Sequence, residues 1–178
     1  MALMEIIQPD NPILRKKAVR VTDFGPKLQS LIDDMYETML DADGVGLAAP
    51  QVAESRRLIL VRLPDDEDSR EEYGEDAGKL FIIANPKIIK QSRTTVSGVE
   101  GCLSLPGLFG DVDRAESIVL TGQDRHGKPL RLKAKGWLAR VFLHEIDHLD
   151  GQLFIDIANK VWRQAEEDMV DEEATPEA

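Results

Sequence analysis

Trp137-Leu138-Ala139-Arg140-Val141-Phe142-Leu143-His144-Glu145-Ile146-Asp147-His148-Leu149 is the stretch on which the reading of this chain turns. Trp137, Leu138, Val141, Phe142, Ile146 and Leu149 recur at helical spacing and make most of the circumference apolar, the pattern of a buried helix. Gly136 stands just before it, and Gly151 suits a C-terminal stop. Within it lies a His-Glu-x-x-His pentad. Residues four apart on a helix share one face, separated by about 6 Å along the axis, so His144 and His148 can grip one ion together. Glu145 projects beside them, where a carboxylate can serve as a general base. A core helix with two fortuitously spaced histidines is the bland alternative. It requires two histidines and a glutamate to fall in metalloenzyme order in a chain with only 3 histidines, so the metal reading is preferred. The pentad still lacks a third ligand.

Outward from the helix, 178 residues suffice for one domain with a substantial core. A 42% hydrophobic and 31% charged composition is that of a globular chain, and no apolar stretch is long enough to span a bilayer. No targeting pattern is seen in Met1–Asn11, and a cytoplasmic location is expected. The single cysteine, Cys102, cannot form an internal disulfide, which leaves packing, metal binding or nucleophilic chemistry. The net charge of -11 is unevenly spread. Asp65–Asp76 carries 8 acids and the last 16 residues carry 7, and outside these two segments 18 of the 33 acids face 20 of the 22 basic residues. The body is nearly neutral, so direct nucleic-acid binding is not expected. The division expected is a single catalytic domain over residues 1–162 and a flexible acidic tail over 163–178.

Pro26 to about Ala42 has Leu28, Leu31, Ile32, Met35, Met39 and Leu40 at helical intervals, with Thr22 or Asp23 as candidate caps. Val19 and Val21 suggest an edge strand. Gly44-Val45-Gly46-Leu47-Ala48-Ala49-Pro50-Gln51 is dense in small residues that allow close backbone approach, yet it lacks the Gly-Lys-Ser/Thr of a nucleotide loop. Arg57–Leu63 and Leu80–Lys90 read as strands, the second broken by Asn85-Pro86, with the acidic stretch between them as a surface loop. Thr94–Val99 is β-prone and leads into Glu100-Gly101-Cys102-Leu103-Ser104. A cysteine between glycine and an extended segment is poorly explained as core filling. Ser117–Thr121 and Leu130–Ala134 form a hairpin with His126 at its solvated tip.

For the third ligand, the metzincin continuation fails because Phe154 stands where a histidine is required. A thermolysin-like endopeptidase would draw on Glu166, Glu167 or Asp168, which sit in the acidic tail; this stays as an alternative. Cys102 is the better candidate, since a thiolate and two imidazoles leave one open tetrahedral position. The three stretches Gly44–Gln51, Glu100–Ser104 and His144–His148 together resemble, in order and spacing, the motifs of peptide deformylases, and the resemblance runs from Pro12-Ile13-Leu14-Arg15 to Phe154.

That resemblance implies an α+β fold with mixed or antiparallel sheets around the pentad helix, and removal of the formyl group from N-formylmethionine of nascent polypeptides. It implies Cys102, His144 and His148 as metal ligands and Glu145 as acid/base. Gln51 and the Leu103 backbone N–H would face the developing oxyanion. Val45, Gly46 and Gly101 would line the peptide groove, and Trp137 and Val141 would shape the methionine pocket. It implies one divalent ion, Fe2+ natively, with Zn2+, Ni2+ or Co2+ possible in purified protein, since the same ligands suit all of them. Glu100 and Arg114 would form a structural ion pair. Leu143 replaces a glutamine common in bacterial members, the Asp65–Asp76 insert is long, and the acidic tail puts stable ribosome docking in doubt, leaving transient contact. A non-catalytic peptide-binding module of the same fold is the remaining alternative.

Overall fold

The computed structural model describes residues 2–164; the acids Glu166, Glu167 and Asp168 lie outside the described residues, as does nearly all of the acidic tail. Among the described residues three α-helices, α1 (Pro26–Asp41), α2 (Glu67–Tyr73) and α3 (Gly136–Leu149), accompany eight strands. A five-stranded antiparallel sheet has the order β1 (Gly46–Ala48), β2 (Leu58–Arg62), β3 (Leu80–Gln91), β6 (Ser117–Gln123), β7 (Pro129–Lys135). A three-stranded sheet has the order β4 (Thr95–Cys102), β5 (Leu105–Ala115), β8 (Lys160–Arg163).

Strand β2 shows why Leu58–Val61 is an unbroken apolar run. Successive side chains leave a strand on opposite faces. Ile59 and Val61 enter the core under α3, while Leu58 and Leu60 enter the core under α1. The sheet is therefore sandwiched between two helices at this point, and both faces must be apolar. Phe142 of α3 is fully buried and meets Phe81 edge-on, with ring centroids 5.3 Å apart. Truncating such a ring to alanine costs about 3–5 kcal/mol.

Several sequence expectations need correction. Neither Thr22 nor Asp23 caps α1: Gly25 is the N-cap residue with no side-chain cap, Pro26 fills the first turn, and Asp23 instead accepts the Gly25 N–H at 2.9 Å. Asn85-Pro86 does not end β3. The strand passes through with an irregular register between Ala84 and Lys87, Asn85 taking φ 51. Its amide exchanges two hydrogen bonds with the Val21 backbone, at 2.8 and 2.9 Å. That side chain replaces the edge strand expected at Val19 and Val21, where only an isolated bridge from Val19 to Arg56 forms. The acidic stretch is no bare loop, since Asp66 accepts the Ser69 N–H at 2.8 Å and starts α2, with Glu67 and Asp68 in its first turn. Strand β8 pairs with β5 through Val161 and Trp162, a strand that short sequence too near the tail did not reveal.

At the far end of α3, Arg57 donates to the Leu149 carbonyl at 2.9 Å and to Asp150 at 3.0 Å. A cation there satisfies an unpaired helix carbonyl and suits the negative end of the dipole. The helix is thus pinned at its C-terminus one residue beyond His148.

Candidate metal centre

Helix α3 brings His144, Glu145 and His148 to one side, and the end of β4 brings Cys102 against them. One donor atom from each of Cys102, His144 and His148 lies within 4.8 Å of the others, and Cys102 Sγ stands 3.4 Å from His148 Nε2. A tetrahedral ion with metal–sulfur and metal–nitrogen bonds of about 2.3 and 2.05 Å spaces such atoms about 3.5 Å apart. The donor set, soft thiolate with two imidazoles, fits a divalent transition metal with a position left open.

Electrostatics favours a cation at the same point. Burial opposes charging His144, but hydrogen bonding to Cys102 and Glu100 and the charge of Glu145 outweigh it and raise it to about 10. His148 is driven the other way by burial and by the charges of His144 and Arg114, so it stays neutral with a lone pair to give. His144 Nδ1 lies 2.7 Å from Glu100 Oε1, which fixes the ring and turns its other nitrogen inward.

Glu100 is itself clamped. Arg114 donates to both its oxygens at 2.9 Å, as expected of that pair, and Arg140 adds a third bond at 2.8 Å. Arg140 also donates to the carbonyls of Val96 and Val112. Arg114 reaches Asp147 as well, at 2.6 Å. Arg140 and Asp147 were not singled out from sequence, although a signal existed: Arg140 is the one Lys or Arg in the apolar run Trp137–Leu149, and a buried charge requires partners.

Glu145 has the opposite surroundings. It is buried, and its Oε2 has no hydrogen-bond partner. Burial is the main reason its pKa rises to about 7. Gly46 of β1 lies against it so closely that a Cβ there would come 2.5 Å from Oε1. Close backbone approach thus explains part of the small-residue stretch. The same stretch ends in a 3-10 turn, Ala49–Val52, that buries Gln51. The Gln51 Oε1 accepts the Ala48 N–H at 2.9 Å, which aims Nε2 at Ser104 Oγ (3.2 Å) and Cys102 Sγ (3.6 Å).

These groups open onto a cavity of about 310 Å³. Val45, Gly46, Gln51, Gly101, Cys102 and Leu103 line it together with Trp137, Val141, His144 and Glu145 of α3. All the residues singled out from sequence for the site are brought together here except His148, which closes the metal triad behind the cavity. His126 is exposed at the β6–β7 turn. Leu143 packs against the main core rather than into the site.

A mixed fold of antiparallel sheets with a Cys-His-His centre and a free glutamate on one buried helix defines the metal-dependent hydrolases as the class. Within that class, residues 3–164 match the polypeptide deformylase family, and the chain belongs to it. The peptide deformylase of Symbiobacterium thermophilum is 45% identical over 98% of this chain and 75% of its own length. Peptide deformylase 1 of Bacillus anthracis is 47% identical over 94% of this chain and 97% of its own. The crystal structure of peptide deformylase from Thermotoga maritima superposes with a TM-score of 0.81 at 35% identity, covering 90% of this chain and 100% of that one. The Met-Ala-Ser-bound class I type b enzyme of Acinetobacter baumannii gives 0.79 at 33%, covering 87% and 98%. The protein is therefore an enzyme of a metal-dependent family, and among the described residues no helix is long and apolar enough to cross a membrane.

Proposed function

We propose that the chain hydrolyses the formamide of N-formylmethionyl peptides with Cys102, His144 and His148 as metal ligands and Glu145 as the proton carrier. The observation that carries this reading is the pairing of a three-donor cluster with an unpartnered buried carboxylate at the floor of one groove. The bound ion would supply Lewis acidity and lower the pKa of water. Glu145, a buried carboxylate whose Oε2 has no partner, takes up a proton and passes it to the leaving amine. Gln51, oriented by Ala48, offers Nε2 to charge developing on the formyl oxygen, and the Leu103 N–H is its companion donor. Val45, Gly46 and Gly101 supply main chain to an extended peptide, while Trp137 and Val141 bound the space for the methionine side chain.

Ferrous iron is the native ion in this reading, with zinc, nickel or cobalt as replacements. The substrates are nascent chains met in the cytoplasm, with transient ribosome contact. The catalytic domain expected to end at residue 162 runs on through Arg163, which pairs with Leu108 in β8, and the acidic tail follows it. Iron-loaded protein kept without oxygen and given formyl-Met-Ala-Ser releases formate. Absence of formate from a sample shown to hold its metal would refute the proposal.

A further inference from the structure

We propose that Tyr73, carried by the acidic insert, is a positioning residue for the peptide groove: its phenolic oxygen caps the first turn of α3 and so holds Trp137 on the groove rim. This rests on reading the groove as the peptide site. Helix α3 starts without a cap of its own. Lys135 occupies the N-cap position and makes no side-chain cap bond, and the chain enters through Gly136 at φ +58. The first N–H groups of a helix have no partner inside it. One of them, the Trp137 N–H, donates to Tyr73 Oη at 2.9 Å, across 64 residues of sequence. A Cβ on Gly136 would come 2.9 Å from that oxygen, so glycine leaves room for it.

Helix α2 buries none of its residues, and its base is tied to β2 by Arg62 donating to the Gly78 carbonyl at 2.9 Å. Between insert and sheet lies a cleft of about 630 Å³ walled by Ile118, Val119, Ala134 and Leu138. Tyr73 lines this cleft and packs on the main core, the same core against which the groove residue Val45 packs. Trp137 is 42% exposed and lines the groove one turn before Val141. His144 lies two turns further along the helix. Loosening the first turn should therefore disturb peptide binding and leave the chemistry in place.

The test is Tyr73→Phe in a Trp162→Phe background, where Trp137 is the only indole. Exchange of the Trp137 amide should quicken about fivefold, the size of one lost hydrogen bond, and Trp137 emission should shift. Affinity for Met-Ala-Ser, read from Trp137 emission, and the KM for formyl-Met-Ala-Ser should each weaken about threefold or more, with kcat within about twofold. Adding Lys135→Ser, which places a local cap at the helix start, should restore all of these. Unchanged exchange and emission overturn the proposal. A lower Tm with unchanged peptide affinity also overturns it, since Tyr73 would then only support the fold. If the parent protein binds Met-Ala-Ser yet releases no formate, the deformylation reading fails while exchange, emission and affinity still decide the role of Tyr73.

Discussion

Glu100 and Glu145 are the same residue type, both buried and both acting on His144, and they sit at opposite ends of carboxylate behaviour. Burial raises both. At Glu100 the bonds from Arg114 and His144 overcome it and bring the pKa down to about 2. At Glu145 nothing overcomes it, and the pKa stands at about 7. Partners rather than depth decide which carboxylate is a fixed charge and which can trade a proton. A permanently ionised Glu100 orients the ring beside it, whereas a poised Glu145 is free because the fold withholds a partner from Oε2.

The sharpest way to break this contrast is Glu145→Gln. An isosteric amide keeps the packing under Gly46 but cannot carry a proton, so kcat should fall by about 10²–10⁴. Metal content, measured by elemental analysis, should stay at that of the parent. Retention of more than a tenth of the parent rate would remove Glu145 from the proposed chemistry.

Glu100→Gln should act in the other currency. Two buried guanidinium groups would lose their shared counter-charge, a loss of about 3–5 kcal/mol in stability by denaturant unfolding. Metal affinity by chelator competition should drop about 10–100-fold, because the partner that orients His144 is weakened. A protein as stable as its parent, with unaltered affinity, would show that the clamp does not support the centre.

Acid titration of chelator-treated protein separates the two by sign. The folded pKa of Glu100 lies below the usual 4.5, so its contribution is present above about pH 4.5 and is lost as pH falls toward about 2. That of Glu145 lies above 4.5, so its contribution is present below about pH 4.5 and is lost as pH rises through about 7. Subtracting each glutamine variant from the parent should give stability slopes of opposite sign in those two windows. Slopes of the same sign would mean that the two environments are not distinct.

How much of this was legible beforehand follows from which interactions are local. The α3 stretch declared its helix, its histidines and its glutamate, because helical spacing is written directly in residue order. Cys102 stood out through its glycine neighbour and the absence of apolar periodicity around it. The family resemblance then supplied roles for Gln51, Gly46 and Trp137 that spacing alone does not contain. The acidic insert misled because eight acids look like solvated loop, yet Asp66 is a good cap and Tyr73 has a partner 64 residues away. Asn85 misled because Asn-Pro usually punctuates, and here its side chain serves as a surrogate strand for Val21. Arg140 is a lone guanidinium in an apolar helix, and a charge so placed is itself the sign that a counter-charge must be near.

The smallest effect should come from Asp147→Asn, and its smallness would sharpen the contrast. Asp147 also pairs with Arg114, at 2.6 Å, but its side chain is 21% exposed against 5% for Glu100. Burial raises its pKa first, and Arg114 only partly offsets the rise. Asparagine keeps an oxygen for Arg114 Nη1 and removes only the charge, while Glu100 continues to neutralise the guanidinium through its two other bonds. Water reaches the edge of this pair and screens it, so the loss should be about 1 kcal/mol or less in unfolding free energy. Metal affinity should stay within about threefold of the parent, because the hydrogen bond that orients His144 comes from Glu100. A loss as large as that of Glu100→Gln would mean that Arg114, rather than Glu100, organises the buried charges, and the contrast between the two glutamates would have to be rebuilt around the arginine.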